Sequence, residues 1–357
     1  MLLNPVLLGG PPTMFICGDD ADVTAEIPSN LTRSGWETMV NDRAGRTPSA
    51  MERVKRLVDE ALRNGVFSSE ADLQSAVSRV MHDYNRRPQV ELGGLSPDAV
   101  FRLFSADWTA ASAIVIDEST PLGELGGAPL LHHARALLAL LADGVKATAT
   151  GSLPRATVAA FLDEAAARGG DEELAELWAM GFSMRNELDV WPLHHTRVLL
   201  EVAGLVARRK GIMRVTRQGA SLAGEGKAGA LWARLVRAQC KRMNLDYLDA
   251  MDPAPALQYA IGFALFQFSR GGDRWIASEE WATRLLPADV WAALPIHPQF
   301  DHRTLMVERR VLYVLWRFGL AEREERPAPA GRYGNDRVYR PSPLLAARVR
   351  FRLEDGA

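Results

Sequence analysis

The second half of the sequence runs twice through the same order of segments, and this repeat restricts the possible folds more than any other feature. Each copy opens with an apolar stretch that ends at glycine, residues 130–142 before Gly144 and residues 256–268 before Gly271. A short segment follows, and then a stretch with a polar start, at Ser152 in copy one and at Ser278 in copy two. These signals predict two helices joined by a short segment in each copy.

Each copy then closes with a third helix and a hairpin. The third segments read RVLLEVAGLVARR and LYVLWRFGLAERE, with aligned glycines at Gly204 and Gly319. Leu199, Val202 and Val206 recur at helical spacing and predict a buried stripe. In copy one, strand 213–216 is predicted to pair with residues 206–208. Copy two repeats the Arg-Val-x-Arg pattern of this hairpin within residues 334–342.

This order, and the phrase GLVARR followed by RVTRQG, resembles the winged helix-turn-helix family. The resemblance implies a mainly α fold with two winged helix-turn-helix units, each of three helices plus a β-hairpin wing, and an N-terminal helical region. Copy one departs from the family by an insertion at 166–190 between its second and third helices. The predicted domains are a loop-rich and helical region at 1–110, a first unit at 128–222, a connecting helix at 223–255 and a second unit at 256–352.

Helical signals also occur in the N-terminal part. Apolar spacing predicts one helix from Ser49 to about Arg63 and a second helix after Ser68 or Ser69. Gly93-Gly94 predicts a turn. Ser96-Pro97-Asp98 predicts a helix start, with an N-cap hydroxyl, a proline in the first turn and an acid near the positive end of the helix dipole.

Residues 84–104 resemble the end of the integrase core in insertion-sequence transposases. That core needs three metal-binding carboxylates on a sheet and a longer stretch than the 83 residues that precede the match here. A turn followed by a capped helix is therefore the preferred interpretation of the segment.

A wider run, residues 84–352, resembles a group of uncharacterised bacterial proteins. They share the LGGLSP turn, a segment like VKATATGSLP and the tandem arrangement of copies. Some members accompany plasmid-borne open reading frames linked to mobile elements. The resemblance implies a fold and a genomic neighbourhood, and it implies no activity.

Charge is distributed unevenly along the chain. The net charge is −2, but residues 194–242 carry eleven Lys or Arg against two Glu, and residues 303–352 carry twelve Arg against five acids. Such asymmetry is typical of a protein with one side that faces a polyanion. Two distant cysteines, Cys17 and Cys240, indicate a reducing compartment, and the lack of a long apolar run argues against a membrane span, so we expect a cytoplasmic protein.

These features predict a bacterial DNA-binding or DNA-associated regulator, with double-stranded DNA as its partner. In winged helices the third helix enters the major groove and the wing contacts phosphate or the minor groove. His194, His195 and Arg197 lie where base edges would be met. His194 and Arg197 share a helical face with Glu201 and Arg208, and this face is expected to lie opposite the apolar stripe. The cations at the base of the first wing suit phosphate contacts; they are Arg208, Arg209, Lys210, Arg214 and Arg217. The following helix adds Arg234 and Arg237. Copy two offers Arg303, Arg310 and Arg317 at heptad spacing, with Arg332, Arg337 and Arg340 in its wing.

The alternative is a protein–protein adaptor of the same fold that does not bind nucleic acid. Arginine is abundant throughout this sequence while lysine is scarce, so arginine clusters also occur on ordinary solvated surfaces. No catalytic motif is found, so we do not expect an enzyme, and no cofactor is expected. His297, Asp301 and His302 could be considered as metal ligands, but loop histidines with ordinary partners are the preferred interpretation.

Overall fold

The structure is a computed structural model that describes residues 56–57, 60, 70–86, 92–181, 183–249, 251–297, 301–327 and 335–353. Within these ranges the protein is mainly helical, with three small antiparallel sheets. The chain divides into two compact units. The smaller unit contains the chain up to Ser105 together with Pro287–Asp289, and the larger unit contains the remainder. The predicted domain boundaries stay a prediction.

The smaller unit contains helix α1 (Glu70–Arg86) and helix α2 (Pro97–Ser105). Gly93 and Gly94 both have positive φ, as the predicted turn requires. The Ser96 hydroxyl accepts a hydrogen bond from the Ala99 N–H at 3.2 Å, which confirms the predicted helix start. The helix predicted from Ser49 to Arg63 and the caps at Ser68 or Ser69 lie largely outside the described residues.

The larger unit begins with strand β1 (Ile114–Ile116) and then runs through two parts with the same order of elements. The first part consists of α3 (Pro129–Leu140), β2 (Val145–Lys146), α4 (Arg155–Arg168), α5 (Glu172–Ala179), α6 (Trp191–Val202), β3 (Val206–Arg209) and β4 (Ile212–Val215). It is followed by α7 (Arg217–Ala223) and α8 (Ala228–Lys241). Helix α5 and a 3₁₀ turn, Glu187–Asp189, lie in the predicted insertion.

The second part consists of α9 (Pro255–Ser269), β5 (Ile276–Ala277), α10 (Ser278–Arg284), α11 (Ala288–Ala293), α12 (His302–Val307), α13 (Tyr313–Arg317), β6 (Ala321–Pro327) and β7 (Asn335–Pro341). A π-helical turn, Glu308–Leu312, joins α12 to α13. Helix α14 (Pro343–Arg348) and strand β8 (Val349–Phe351) complete the described chain, and β8 pairs with β1. None of the helices in the described ranges is both long and apolar enough to cross a membrane.

The two larger sheets share one strand order. In the first, β4 lies between β2 and β3; in the second, β7 lies between β5 and β6. The predicted pairing of residues 206–208 with the strand after them is confirmed, with Val206 opposite Val215. The third strand of each sheet, β2 and β5, was not predicted, because a two-residue strand leaves no periodic signal in the sequence.

The junction of third helix and hairpin is built alike in both parts. Gly204 and Gly319 have φ values of 76° and 72° and end their helices in the left-handed conformation. Thr216 donates a hydrogen bond to the Gly204 carbonyl, and Ser342 donates one to the Gly319 carbonyl. Each hydroxyl also caps the helix that follows. Since α6 ends at Val202, the predicted helical stripe is wrong at Val206, which lies buried in β3 instead.

Candidate nucleic-acid interface

The first hairpin carries a compact group of cations on one face of its sheet. Lys146 on β2 and Arg209 on β3 both lie opposite Ile212 on β4, and Arg214 lies opposite Ala207. Residues that oppose each other across a ladder share a face, and alternate residues along a strand share it too. Lys146, Arg209 and Arg214 therefore surround Ile212. With Lys210 at the hairpin tip, we call these four cations the basic face.

The basic face is open to solvent. Its four cations are exposed, and so is Ile212 at its centre, at 37%. In the described part of the chain, none of the four side chains forms an ion pair or a hydrogen bond. Arg208 points to the other face of the sheet, where its guanidinium lies 3.5 Å from the Gly151 carbonyl oxygen. Arg217 is exposed at the start of α7.

The turn of this hairpin presents a cation at its tip. Lys210 and Gly211 have φ values of 48° and 76°, as a two-residue type I′ turn requires. Glycine or asparagine is the usual residue at such positions, because other side chains crowd the backbone. A lysine here places a positive charge at the most projecting point of the hairpin.

The second hairpin has the same strand order, but its arginines are paired with carboxylates. Glu322 lies directly opposite Arg340, and Glu325 lies opposite Arg337. The Arg340 guanidinium donates to Glu322 at 2.5 Å, while Arg337 pairs with Glu308 at 3.1 Å and with Glu325 at 3.5 Å. The predicted site residues of this wing are therefore neutralised by carboxylates. Arg332 lies outside the described residues.

The predicted base-reading residues of α6 are largely internal. His195 is fully buried, and Arg197 is 8% exposed. His194 is half-buried. The prediction that the face opposite the apolar stripe is exposed to solvent is thus wrong. This face is covered by carboxylates and aromatic rings from α5, the 3₁₀ turn and the second part of the unit.

Two predicted residues of the second part's third helix are also internal. Arg310 is 2% exposed and forms ion pairs with Asp246 and Asp249. Arg317 is fully buried and pairs with Glu173 of α5 at 2.7 Å. Arg310 itself lies in the π-helical turn, so the heptad spacing read from the sequence does not correspond to one continuous α-helical face.

The remaining candidates bind backbone carbonyls inside the larger unit. Arg234 donates two hydrogen bonds to the Ala203 carbonyl oxygen at the end of α6. Arg237 donates to the Trp108 carbonyl oxygen and to Glu118. Arg303 donates to the Leu294 and Ala292 carbonyl oxygens. These arginines satisfy helix ends and connections, a use that their spacing in the sequence did not reveal.

Arg317 lies at the centre of a buried polar cluster that joins the two parts. Its guanidinium contacts Glu173, His195 and the Pro192 carbonyl oxygen, and Tyr313 donates to the same glutamate. His133 lies 3.6 Å from Glu173. Burial and the charge of Arg317 hold the pKa of His195 well below its usual range, so its imidazole is neutral and its second nitrogen bonds Gln239 at 2.7 Å.

Two carboxylates of the insertion are held ionised. Burial would raise the pKa of Asp171, but its hydrogen bond with His133 at 2.7 Å and the charge of Arg168 outweigh burial and lower it. Burial likewise opposes ionisation of Glu187. The hydrogen bonds from His194, from the Leu153 N–H and from Arg197 prevail, and the pKa of Glu187 lies below its usual range.

Part of this region has relatives. Residues 126–229 match the family model of the Y4jL N-terminal domain. The match runs from the turn before α3 to the start of α8, so it contains the basic face, α6 and the insertion, and it omits the second hairpin. No curated protein and no solved structure matches the chain.

Sequence reasoning missed two residues of the interface. Lys146 belongs to the basic face, but only the pairing of β2 with β4 brings it there. Glu187 lies in the insertion, and its partners His194, Arg197 and Leu153 are 7, 10 and 34 positions away. Within the described ranges, no group of three His, Cys, Asp or Glu side chains converges as metal ligands would.

Proposed function

We propose that this chain associates with double-stranded DNA through the basic face of the first hairpin. The observation that carries the proposal is the set of four exposed cations, Lys146, Arg209, Lys210 and Arg214, with no carboxylate partner in the described chain. Other arginines of the unit, such as Arg310, Arg317 and Arg340, are paired with carboxylates. Unpaired cations on a projecting hairpin favour contact with phosphate, because neutralising phosphate releases bound counterions.

The topology supports a winged helix-turn-helix interpretation of both parts. In each, a helix, a short strand and further helices precede a hairpin, and the short strand pairs with the last strand of the hairpin. In that family the hairpin is the wing, and it contacts the DNA backbone. The resemblance to bacterial proteins that are encoded near mobile elements is consistent with this proposed role.

The proposed contact is made to the phosphate backbone and not to base edges. The third helices, which carry base contacts in this family, have their polar side chains engaged inside the unit. Phosphate contacts position a protein on DNA without conveying sequence. We therefore expect weak sequence preference and a steep dependence of affinity on salt, with a slope of about −0.9 per phosphate contacted.

The test is fluorescence anisotropy of a labelled random duplex, titrated with the full chain over a salt series. The triple variant Arg209→Ala, Lys210→Ala, Arg214→Ala removes three cations of the basic face. We expect it to bind at least tenfold more weakly at low salt and to lose about 0.9 of salt slope for each contact removed.

The matched control removes the same charge elsewhere. Arg185, Arg242 and Arg274 are exposed, and their side chains form no ion pair in the described chain. Arg185→Ala, Arg242→Ala and Arg274→Ala together should change affinity far less than the hairpin variant does. Equal losses in the two triple variants, or no binding by the wild-type chain at low salt, would rule the proposal out.

The alternative function is a protein-binding adaptor, and one observation favours it. Both third helices are covered, and their cations are neutralised by carboxylates of the same unit. A chain of this kind would present the hairpin to an acidic protein surface. The adaptor function predicts that the chain shows no salt-sensitive binding of duplex DNA. It also predicts that the wild-type chain retains a partner protein in a pull-down and that the hairpin variant does not.

A further inference from the structure

The insertion of the first part places one carboxylate in a site that is built for an anion. Glu187 accepts hydrogen bonds from the Leu153 N–H at 2.5 Å, from Arg197 Nε at 2.5 Å and from His194 Nδ1 at 2.7 Å. A backbone N–H, a guanidinium and an imidazole converge here on one pair of oxygens. The same three donors would suit a phosphate oxygen.

The carboxylate reaches this site from a surface turn. Glu187 itself is 1% exposed, but its neighbours Asn186 and Leu188 are exposed, and Leu188 is 69% exposed. The backbone of the turn is short, since the 3₁₀ segment spans Glu187–Asp189. Withdrawal of the side chain begins at these surface residues, and it must also release the capping box of the turn beside the fully buried Val190.

The site lies next to solvent. His194 lines a surface cavity of about 280 Å³ together with Leu188, Trp191 and Tyr247. Leu153 lies two residues after Gly151, whose carbonyl oxygen is the contact of Arg208 on the first hairpin. Because Arg208 points away from the basic face, this contact links the site to the hairpin and not to its basic face.

We propose that Glu187 is an internal competitor for nucleic-acid phosphate, and that the site it fills accepts a phosphodiester oxygen when the 3₁₀ turn withdraws. This inference rests on the proposed function, because it adds a phosphate contact at α6 to the one proposed for the hairpin. Glu187 keeps His194 and Arg197 from contributing to affinity. Release of the turn frees the His194 and Arg197 donors for a phosphate oxygen, while Arg197 keeps its second partner, Glu201, at 3.1 Å.

The first experiment asks whether the site binds an anion at all. Glu187→Ala leaves the three donors without their acceptor, so inorganic phosphate should raise its thermal midpoint by several degrees in a saturable manner, at constant ionic strength set with chloride. Wild type should show no such rise. The matched control is Glu225→Ala, since Glu225 is exposed and forms no ion pair in the described chain, and it should behave as wild type does.

The second experiment uses an isosteric change and does not depend on the stability of the alanine variant. Glu187→Gln removes the negative charge and keeps the shape of the side chain. We expect it to bind random duplex DNA about tenfold more tightly than Glu225→Gln does, which is the size of one added charge-assisted contact. Its salt slope should be steeper by about 0.9 for each phosphate gained.

The inference fails if Glu187→Ala folds and shows no response to phosphate, or if Glu187→Gln and Glu225→Gln bind DNA with equal affinity and equal salt slope. Failure of the proposed function has a different signature. In that case neither wild type nor Glu187→Gln binds duplex DNA, while the phosphate titration of Glu187→Ala still shows whether Glu187 occupies an anion site.

Discussion

At the scale of single residues, the neutral imidazole of His195 is the feature with the clearest measurable consequence. It is fully buried between Arg317 and Gln239. Protonation would place a second positive charge beside a guanidinium that is already buried. The folded state therefore excludes the proton, whereas the unfolded chain accepts it near the ordinary pKa of 6.5.

We predict that stability falls with acid from about pH 6.5 downward. Where the unfolded state binds one more proton than the folded state, the free energy of unfolding falls by roughly 1.4 kcal/mol per pH unit. Urea unfolding at pH 7.5, 6.5 and 5.5 measures this slope. His195→Gln cannot titrate and keeps one acceptor and one donor, so it should flatten the slope over this range, and an unchanged slope would contradict the assignment.

The lowered pKa values of Asp171 and Glu187 affect stability only at more acidic pH, since their contribution disappears as pH falls through those pKa values.

The limits of sequence reasoning are also clearest at this scale. Ser96 and the glycines of the turn before it act within a few residues, and their roles were predicted correctly. The partner of Arg317 is Glu173, more than a hundred positions earlier. A spacing pattern shows which residues share a helical face, but not which distant carboxylate will cover it. For this reason Arg197, Arg310 and Arg317 were predicted to be exposed and are instead buried.

At the scale of elements, the first hairpin combines a strained turn with its exposed charge. Lys210 has a left-handed φ of 48°, a conformation that costs a non-glycine residue roughly 1 kcal/mol. Local rules that are broken without a structural benefit occur most often at functional sites. Here the strain at Lys210 has a functional benefit, which is the projecting cation of the proposed phosphate contact.

We predict that Lys210→Gly raises the free energy of unfolding by about 0.5–1 kcal/mol and lowers affinity for duplex DNA. The gain comes from relief of the positive φ, and the loss comes from the removed charge. Chemical unfolding and anisotropy on the same protein sample measure both effects. Lys146→Gly is a suitable comparison because Lys146 has no positive φ; it should weaken DNA binding without stabilising the fold. A gain in stability with unchanged affinity in Lys210→Gly would show that the tip does not contact DNA.

At the scale of the whole larger unit, the two parts are joined through buried charge. Glu173 of the first part is 2% exposed, and Arg317 of the second is fully buried. Removing one member of such a pair leaves the other charged and without its partner, at a cost of about 3–5 kcal/mol, whereas replacing both by apolar side chains can be nearly neutral. The excess positive charge of residues 303–352 is thus largely neutralised inside the unit.

We predict that Arg317→Met lowers the free energy of unfolding by about 3–5 kcal/mol and that Arg317→Met with Glu173→Leu recovers most of the loss. An exposed pair provides the control: Arg284 and Glu280 are 47% and 44% exposed, and Arg284→Met should cost less than about 1 kcal/mol. Equal costs for Arg317→Met and Arg284→Met, measured by urea unfolding, would mean that the buried pair does not hold the parts together.

The pairing of β1 with β8 has a consequence for how the protein is made. Ile114 lies opposite Phe351, so the first and last strands of the larger unit form one sheet. On the ribosome, β1 emerges early and must remain without its partner until more than two hundred further residues have been added. Contacts of such high sequence separation form late. The larger unit therefore completes its fold only after β8 has been synthesised, and its unpaired strand edge is exposed to other nascent chains until then.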